Sequence, residues 1–117
     1  MLNIKRVYLP PHPDDGYRVL VDRLWPRGVT RAQAELDEWL AILAPSAVLR
    51  TWFGHRADRW IEFQQRYLIE LTEIKPAAEL RRLSRIARGS ALTLVYAARN
   101  EQENHAVILR QAIESAK

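Results

Sequence analysis

Residues 91–98 read Ala-Leu-Thr-Leu-Val-Tyr-Ala-Ala, an apolar, β-rich run without a single charge. A run of this kind suits a central strand covered on both faces. A second one, Tyr17–Asp22, stands far upstream, and helical periodicities fill the interval between them. Strands joined through helices pair in parallel, because a parallel crossover needs a dozen or more residues. The expected fold is therefore α/β: a small three-layer domain with a short, mostly parallel sheet and several helices. With 117 residues, one domain spanning 1–117 is expected, long enough for a real core but not for two.

The remaining elements follow from local signals. Ile4–Leu9 predicts a first strand, closed by Pro10, Pro11 and Pro13, and Asp14-Asp15-Gly16 marks a turn before Tyr17. Thr30 with Gln33 fits a capping box, and Leu36, Trp39, Leu40 and Leu43 then recur at helical steps. These predict one helix from Arg31 to about Leu43, with a short strand over Trp39–Leu43 as the alternative. Ser46 is the expected N-cap of a turn over Ala47–Phe53 that Gly54 ends. Trp60, Phe63, Tyr67, Leu71 and Ile74 form the apolar stripe of a helix over Asp58–Ile74. Pro76 predicts the start of a further helix that stops at Gly89, and Asn100 with Glu103 predicts the cap of a last one.

Composition removes several function classes. The chain is 48% hydrophobic and 27% charged, which is globular rather than disordered composition. No apolar run has the length of a membrane span, and the N-terminus turns polar too soon for a secretion signal. A cytoplasmic protein with no membrane partner is expected. There is no cysteine, so disulfides, thiolate catalysis and zinc–thiolate sites are ruled out together. His12, His55 and His105 share no metal-ligand spacing. No glycine-rich phosphate loop or nucleophile-elbow serine is present, so no metal and no cofactor are expected. Of 18 basic residues, 15 are arginine, and the net charge is +4. Forked guanidinium groups favour anionic partners, although a genome rich in G and C would give the same bias.

The strand Tyr17–Asp22 ends unusually. It runs straight into Asp22, Arg23, Trp25 and Arg27 before Pro26 and Gly28 break it, where small turn residues are the rule. Ligands of open α/β sheets bind at the carboxyl ends of strands. If the two apolar strands are neighbours, these residues converge with Tyr96, Asn100 and Asn104. Arg23, Arg27 and Arg50 are the candidate anion ligands, with Ser46 and Asn104 beside them, and Trp25 and Trp52 as an apolar or stacking wall. Asp22, His55 and Tyr96 are the candidate proton-transfer residues. Each has a plainer alternative. Asp22 can pair with Arg23 or Arg27, Trp25 can plug the sheet edge, and Ser46 already has a capping role. Four tryptophans between Trp25 and Trp60 can equally form a hydrophobic joint. His105 is expected to cap or pack.

Taken together, Arg18–Gly28, Ala44-Pro-Ser46, Leu49-Arg50, Trp52-Phe-Gly-His55, Arg59-Trp60, Phe63, Tyr67, Leu94–Ala98 and Asn104 make the chain similar to the YeaO-like branch of the domain-of-unknown-function 488 proteins. The resemblance covers nearly the whole length and implies no specific chemistry. Longer relatives in the wider family carry a cysteine near the end of the last strand. Here that region reads Tyr96-Ala97-Ala98, so a thiol reaction does not carry over.

The function expected is recognition of a small phosphate- or nucleotide-like anion in a cleft at the strand ends, with or without catalysis. Nucleic-acid binding, helped by Arg81, Arg82, Arg85 and Arg88, is the first alternative, diluted by Glu70, Glu73 and Glu79 nearby. A non-catalytic interaction module with a tryptophan-lined homodimer face is the second.

Overall fold

The computed structural model describes residues 1–116. Four strands, β1 (Leu2–Arg6), β2 (Tyr17–Leu20), β3 (Glu38–Trp39) and β4 (Leu92–Tyr96), form one sheet in the order β1-β4-β2-β3. Every pairing is parallel. Five helices accompany it: α1 (Arg31–Ala34), α2 (Ala47–Phe53), α3 (Trp60–Glu70), α4 (Ile74–Gly89) and α5 (His105–Ser115). The α/β class and the central position of the 91–98 run are as expected.

Strand parity divides the core into two unequal parts. Val19, Val21, Leu92, Leu94 and Tyr96 face one side, where residues of α2 to α5 such as Phe63, Tyr67, Leu83 and Ile108 cover them. Leu20 and Val95 face the other side and meet only Val7, Ala34 and the partly buried Trp25, Val29, Leu36 and Ala97. Three layers result, one thick and helical, the other thin and made of α1 with its flanking loops.

Several boundaries differ from expectation, each for a tertiary reason. β1 runs over 2–6 rather than 4–9, because its partner β4 stops at Tyr96 and leaves Tyr8 and Leu9 nothing to pair with. The helix expected from Arg31 to Leu43 lasts four residues. The buried Arg18 guanidinium donates to the carbonyls of Ala34 (Nη2, 2.7 Å) and Glu35 (Nε, 3.1 Å), and Glu35 turns back with φ +46°. The chain then pairs Glu38 and Trp39 with Val19 and Leu20, closer to the strand alternative.

The long helix expected over 58–74 breaks after Glu70, and α4 begins at Ile74 with Pro76 inside its first turn. Proline has no N–H to lose there. α5 starts at His105, not near Asn100. Asn104 caps it through Oδ1, which accepts from Val107 N at 3.1 Å, while Asn100 Oδ1 holds the preceding turn by accepting from Gln102 N and Glu103 N, both at 2.9 Å.

Candidate ligand-binding cleft

The last rung between the two central strands is Val21 N donating to Val95 O at 3.0 Å. One residue further, Asp22 Oδ2 accepts from Ala97 N at 3.0 Å, so a carboxylate continues the pairing where backbone pairing ends. Its other oxygen, Oδ1, lies 3.1 Å from Nε2 of His105, the first residue of α5. That nitrogen also lies 3.1 Å from the Val21 carbonyl. A carbonyl can only accept, so Nε2 carries a proton and points at Val21. Asp22 Oδ1 consequently receives no directed hydrogen bond, although it is buried. Its contact with His105 is one of proximity.

The Tyr67 ring stands edge-on to His105, with centroids 6.4 Å apart, and its hydroxyl donates to Leu43 O at 2.5 Å. Complete burial pushes the Tyr67 hydroxyl well above the ordinary tyrosine range, helped by the negative charges of Glu70 and Asp22.

Above the Asp22–His105 pair opens a cleft of about 540 Å³, within the usual range for small-molecule sites. It brings together the expected residues Asp22, Arg23, Trp25 and Arg27 from the end of β2 with Arg50 of α2, His55 and Asn104. Arg23, Arg27 and Arg50 are exposed and, among the described residues, none of them forms an ion pair. The alternative of an Asp22–arginine pair is therefore not what forms. Arg18, Arg56, Arg66 and Arg82, by contrast, each hold a carboxylate. His55 sits on the rim with φ +58°, and its ring is tilted against Phe53 at 5.9 Å. A residue with a Cβ is uncommon in that left-handed conformation. Asn104 lines the cleft, but both ends of its amide are occupied: Oδ1 by Val107 N, and Nδ2 by donation to Asn100 O at 2.8 Å.

Three expected site residues lie elsewhere. Tyr96 is 2% exposed and belongs to the helical side of the core, where burial raises its hydroxyl. Ser46 caps α2, accepting from Leu49 N at 3.1 Å and donating to Glu70 Oε2 at 2.6 Å. Trp52 stacks outside the cleft under the Arg59 and Arg66 guanidinium groups, at 5.1 and 4.5 Å. The tryptophans do not form one cluster. Trp25 is edge-on to Trp39 at 5.5 Å, whereas Trp60 stacks on Phe63 at 5.8 Å.

His105, expected to cap or pack, also opens α5 beside Asp22 and lines the cleft. Its signal was positional: it opens the helix that follows β4, at the same sheet edge as Asp22. Among the described residues no helix is long and apolar enough to cross a membrane.

The molecule is thus a parallel α/β domain with a cleft at its strand carboxyl ends that mixes charged and apolar residues. It belongs to the inactive DUF488-N3 subclade (DUF488-N3i), whose family model matches residues 1–117. The chain is 42% identical over 114 residues to the uncharacterised protein YeaO of Escherichia coli (strain K12), covering 97% of each. It is 40% identical over 112 residues to the uncharacterised protein Rv3073c of Mycobacterium tuberculosis (strain ATCC 25618 / H37Rv), covering 96% of this chain and 92% of that one. No solved structure matches it.

Proposed function

We propose that this protein recognises a small phosphate- or nucleotide-like anion in the cleft at the carboxyl ends of β2 and β4. The observation that carries this reading is the set of three exposed arginines, Arg23, Arg27 and Arg50, around one concavity; although Asp22 and Glu103 also line it, none of the three arginines is in an ion pair among the described residues. Guanidinium groups bind phosphate and carboxylate as forks, and α5 adds the positive end of its dipole from the same side. The family's description as inactive supports recognition rather than turnover. Nucleic acid is less favoured, because Arg82 on α4 is committed to Glu38 and Glu79, and Arg88 to Ser84.

Thermal-shift measurements with inorganic phosphate, sulfate and adenosine monophosphate test the reading. Stabilisation by at least one of them that disappears in Arg23→Ala and Arg27→Ala is expected. Unfolding temperatures unmoved by all three anions would overturn it.

A further inference from the structure

Resting on the anion reading above, we infer that the cleft's ligand is a phosphorylated polyol, whose hydroxyl hydrogen-bonds to His105 Nδ1 while its phosphate meets the arginines. His105 Nε2 lies between two acceptors, the Val21 carbonyl and the Asp22 carboxylate, each at 3.1 Å, so it must donate. In the neutral ring Nδ1 is then an acceptor. It has no hydrogen-bond partner in the chain, yet the sole buried side-chain polar atom without one among the described residues is Asp22 Oδ1. Nδ1 is therefore not sealed inside the protein, and His105 lines the cleft. The structure thus fixes one ring nitrogen from behind and leaves the other unpartnered in a residue that lines the cleft.

A nucleobase is commonly held by stacking on an open aromatic face. Phe53 and Phe63 are stacked on each other with centroids 4.3 Å apart. Trp25 carries the Arg31 guanidinium at 4.4 Å, meets Trp39 edge-on, and spends its Nε1–H on the Val29 carbonyl at 2.6 Å. Tyr8 carries the Arg6 guanidinium over its ring at 5.2 Å and donates its hydroxyl to the Arg27 carbonyl at 3.0 Å. These aromatic groups are already partnered, and the remaining walls mix apolar residues such as Ala44, Pro45, Ala97 and Ala98 with Asp22, Thr51 and Glu103. Cations at the rim and an oriented imidazole beside apolar walls suit a phosphate joined to a hydroxyl-bearing carbon chain better than a stacked base.

Calorimetric titration of the full chain with inorganic phosphate, ribose 5-phosphate and adenosine monophosphate tests this. Ribose 5-phosphate should bind about tenfold tighter than phosphate, the scale of one well-made hydrogen bond. His105→Phe should abolish that advantage and leave phosphate affinity unchanged. In case this variant does not fold, nitrogen NMR of the unaltered protein gives the same answer: the His105 Nδ1 resonance should move with ribose 5-phosphate and not with phosphate. Ribose 5-phosphate no tighter than phosphate, an advantage that survives His105→Phe, or an Nδ1 resonance indifferent to the sugar would each overturn the inference and leave anion binding standing. Adenosine monophosphate binding tenfold tighter than ribose 5-phosphate would overturn it in favour of a base subsite. If none of the three binds, the anion reading falls and this inference with it.

Discussion

His105 Nε2 lies 3.1 Å from Asp22 Oδ1, joining the first residue of α5 to the second residue after β2. Through Oδ2 the same carboxylate reaches Ala97 N, just past the end of β4. Three elements are thus held together at one sheet edge by one side chain, directly beneath the cleft.

That arrangement predicts an ordering of variants. Asp22→Ala strands the Ala97 N–H and should cost about 1–3 kcal/mol, the usual penalty for a buried group left unpaired. Asp22→Asn keeps an oxygen for that N–H and should cost less. Urea unfolding at neutral pH measures both. An Asp22→Ala variant within about 0.5 kcal/mol of the unaltered protein would show that the carboxylate does not tie these elements together.

Gly16 and Gly28 make a second, contrasting pair. Gly16 has φ +64° and ψ −130°, and a Cβ there would lie 2.2 Å from the Ala91 carbonyl oxygen. That carbonyl cannot easily move, since it accepts from Tyr17 N at 2.9 Å and so starts the β2–β4 ladder. Gly28 has φ +75° but nothing within 4 Å of the same position. Gly16→Ala should therefore lose more than about 3 kcal/mol or fail to accumulate as soluble protein, whereas Gly28→Ala should lose about 1 kcal/mol of backbone strain. Thermal unfolding and soluble yield distinguish them; equal losses would contradict the close approach at Ala91.

Local signals were legible wherever the residues that decide a boundary are neighbours in sequence. α2 has the expected limits because its cap Ser46 and its left-handed stop Gly54 adjoin it. α1 was misjudged because what ends it is Arg18, a buried side chain from β2 that takes the carbonyls of Ala34 and Glu35. A helical stripe through Leu36, Trp39 and Leu43 contains no trace of that contact. The start of α5 was misplaced because Asn100 and Asn104 both make capping interactions, and spacing alone does not say which one opens the helix. The candidate cleft was legible in outline, since Asp22, Arg23 and Arg27 end a strand that lies beside β4. The burial of Tyr96 is legible by parity: it shares its face with Leu92 and Leu94, and that face is core. His105 could not be ranked from sequence, because its partner Asp22 is brought to it only by the β2–β4 register.

Glu38 gives a prediction about pH. It accepts from Arg82 Nη2 at 2.7 Å, from Arg82 Nη1 at 2.8 Å and from the Tyr17 hydroxyl at 2.5 Å, tying the edge strand β3 to α4 and β2. The Arg82 guanidinium holds its carboxyl below the ordinary value of 4.5; partial burial opposes this, and the Tyr17 hydroxyl reinforces it. A carboxyl with a depressed folded-state value binds fewer protons in the native chain than in the unfolded one. Its contribution is therefore complete above about pH 4.5 and is lost as the pH falls through the folded-state value. Tyr17 has the opposite sign, since its hydrogen bond to Glu38 raises it above 10.0, and its contribution fades only as the solution becomes strongly alkaline. Glu38→Gln should lose about 1–2 kcal/mol at pH 7, the scale of a partly exposed charged hydrogen bond. It should also flatten the fall in stability on acidification. Urea unfolding of both proteins at neutral and acidic pH reads the two effects, and identical pH slopes would mean that Glu38 is not a group whose protonation unfolds this edge of the sheet.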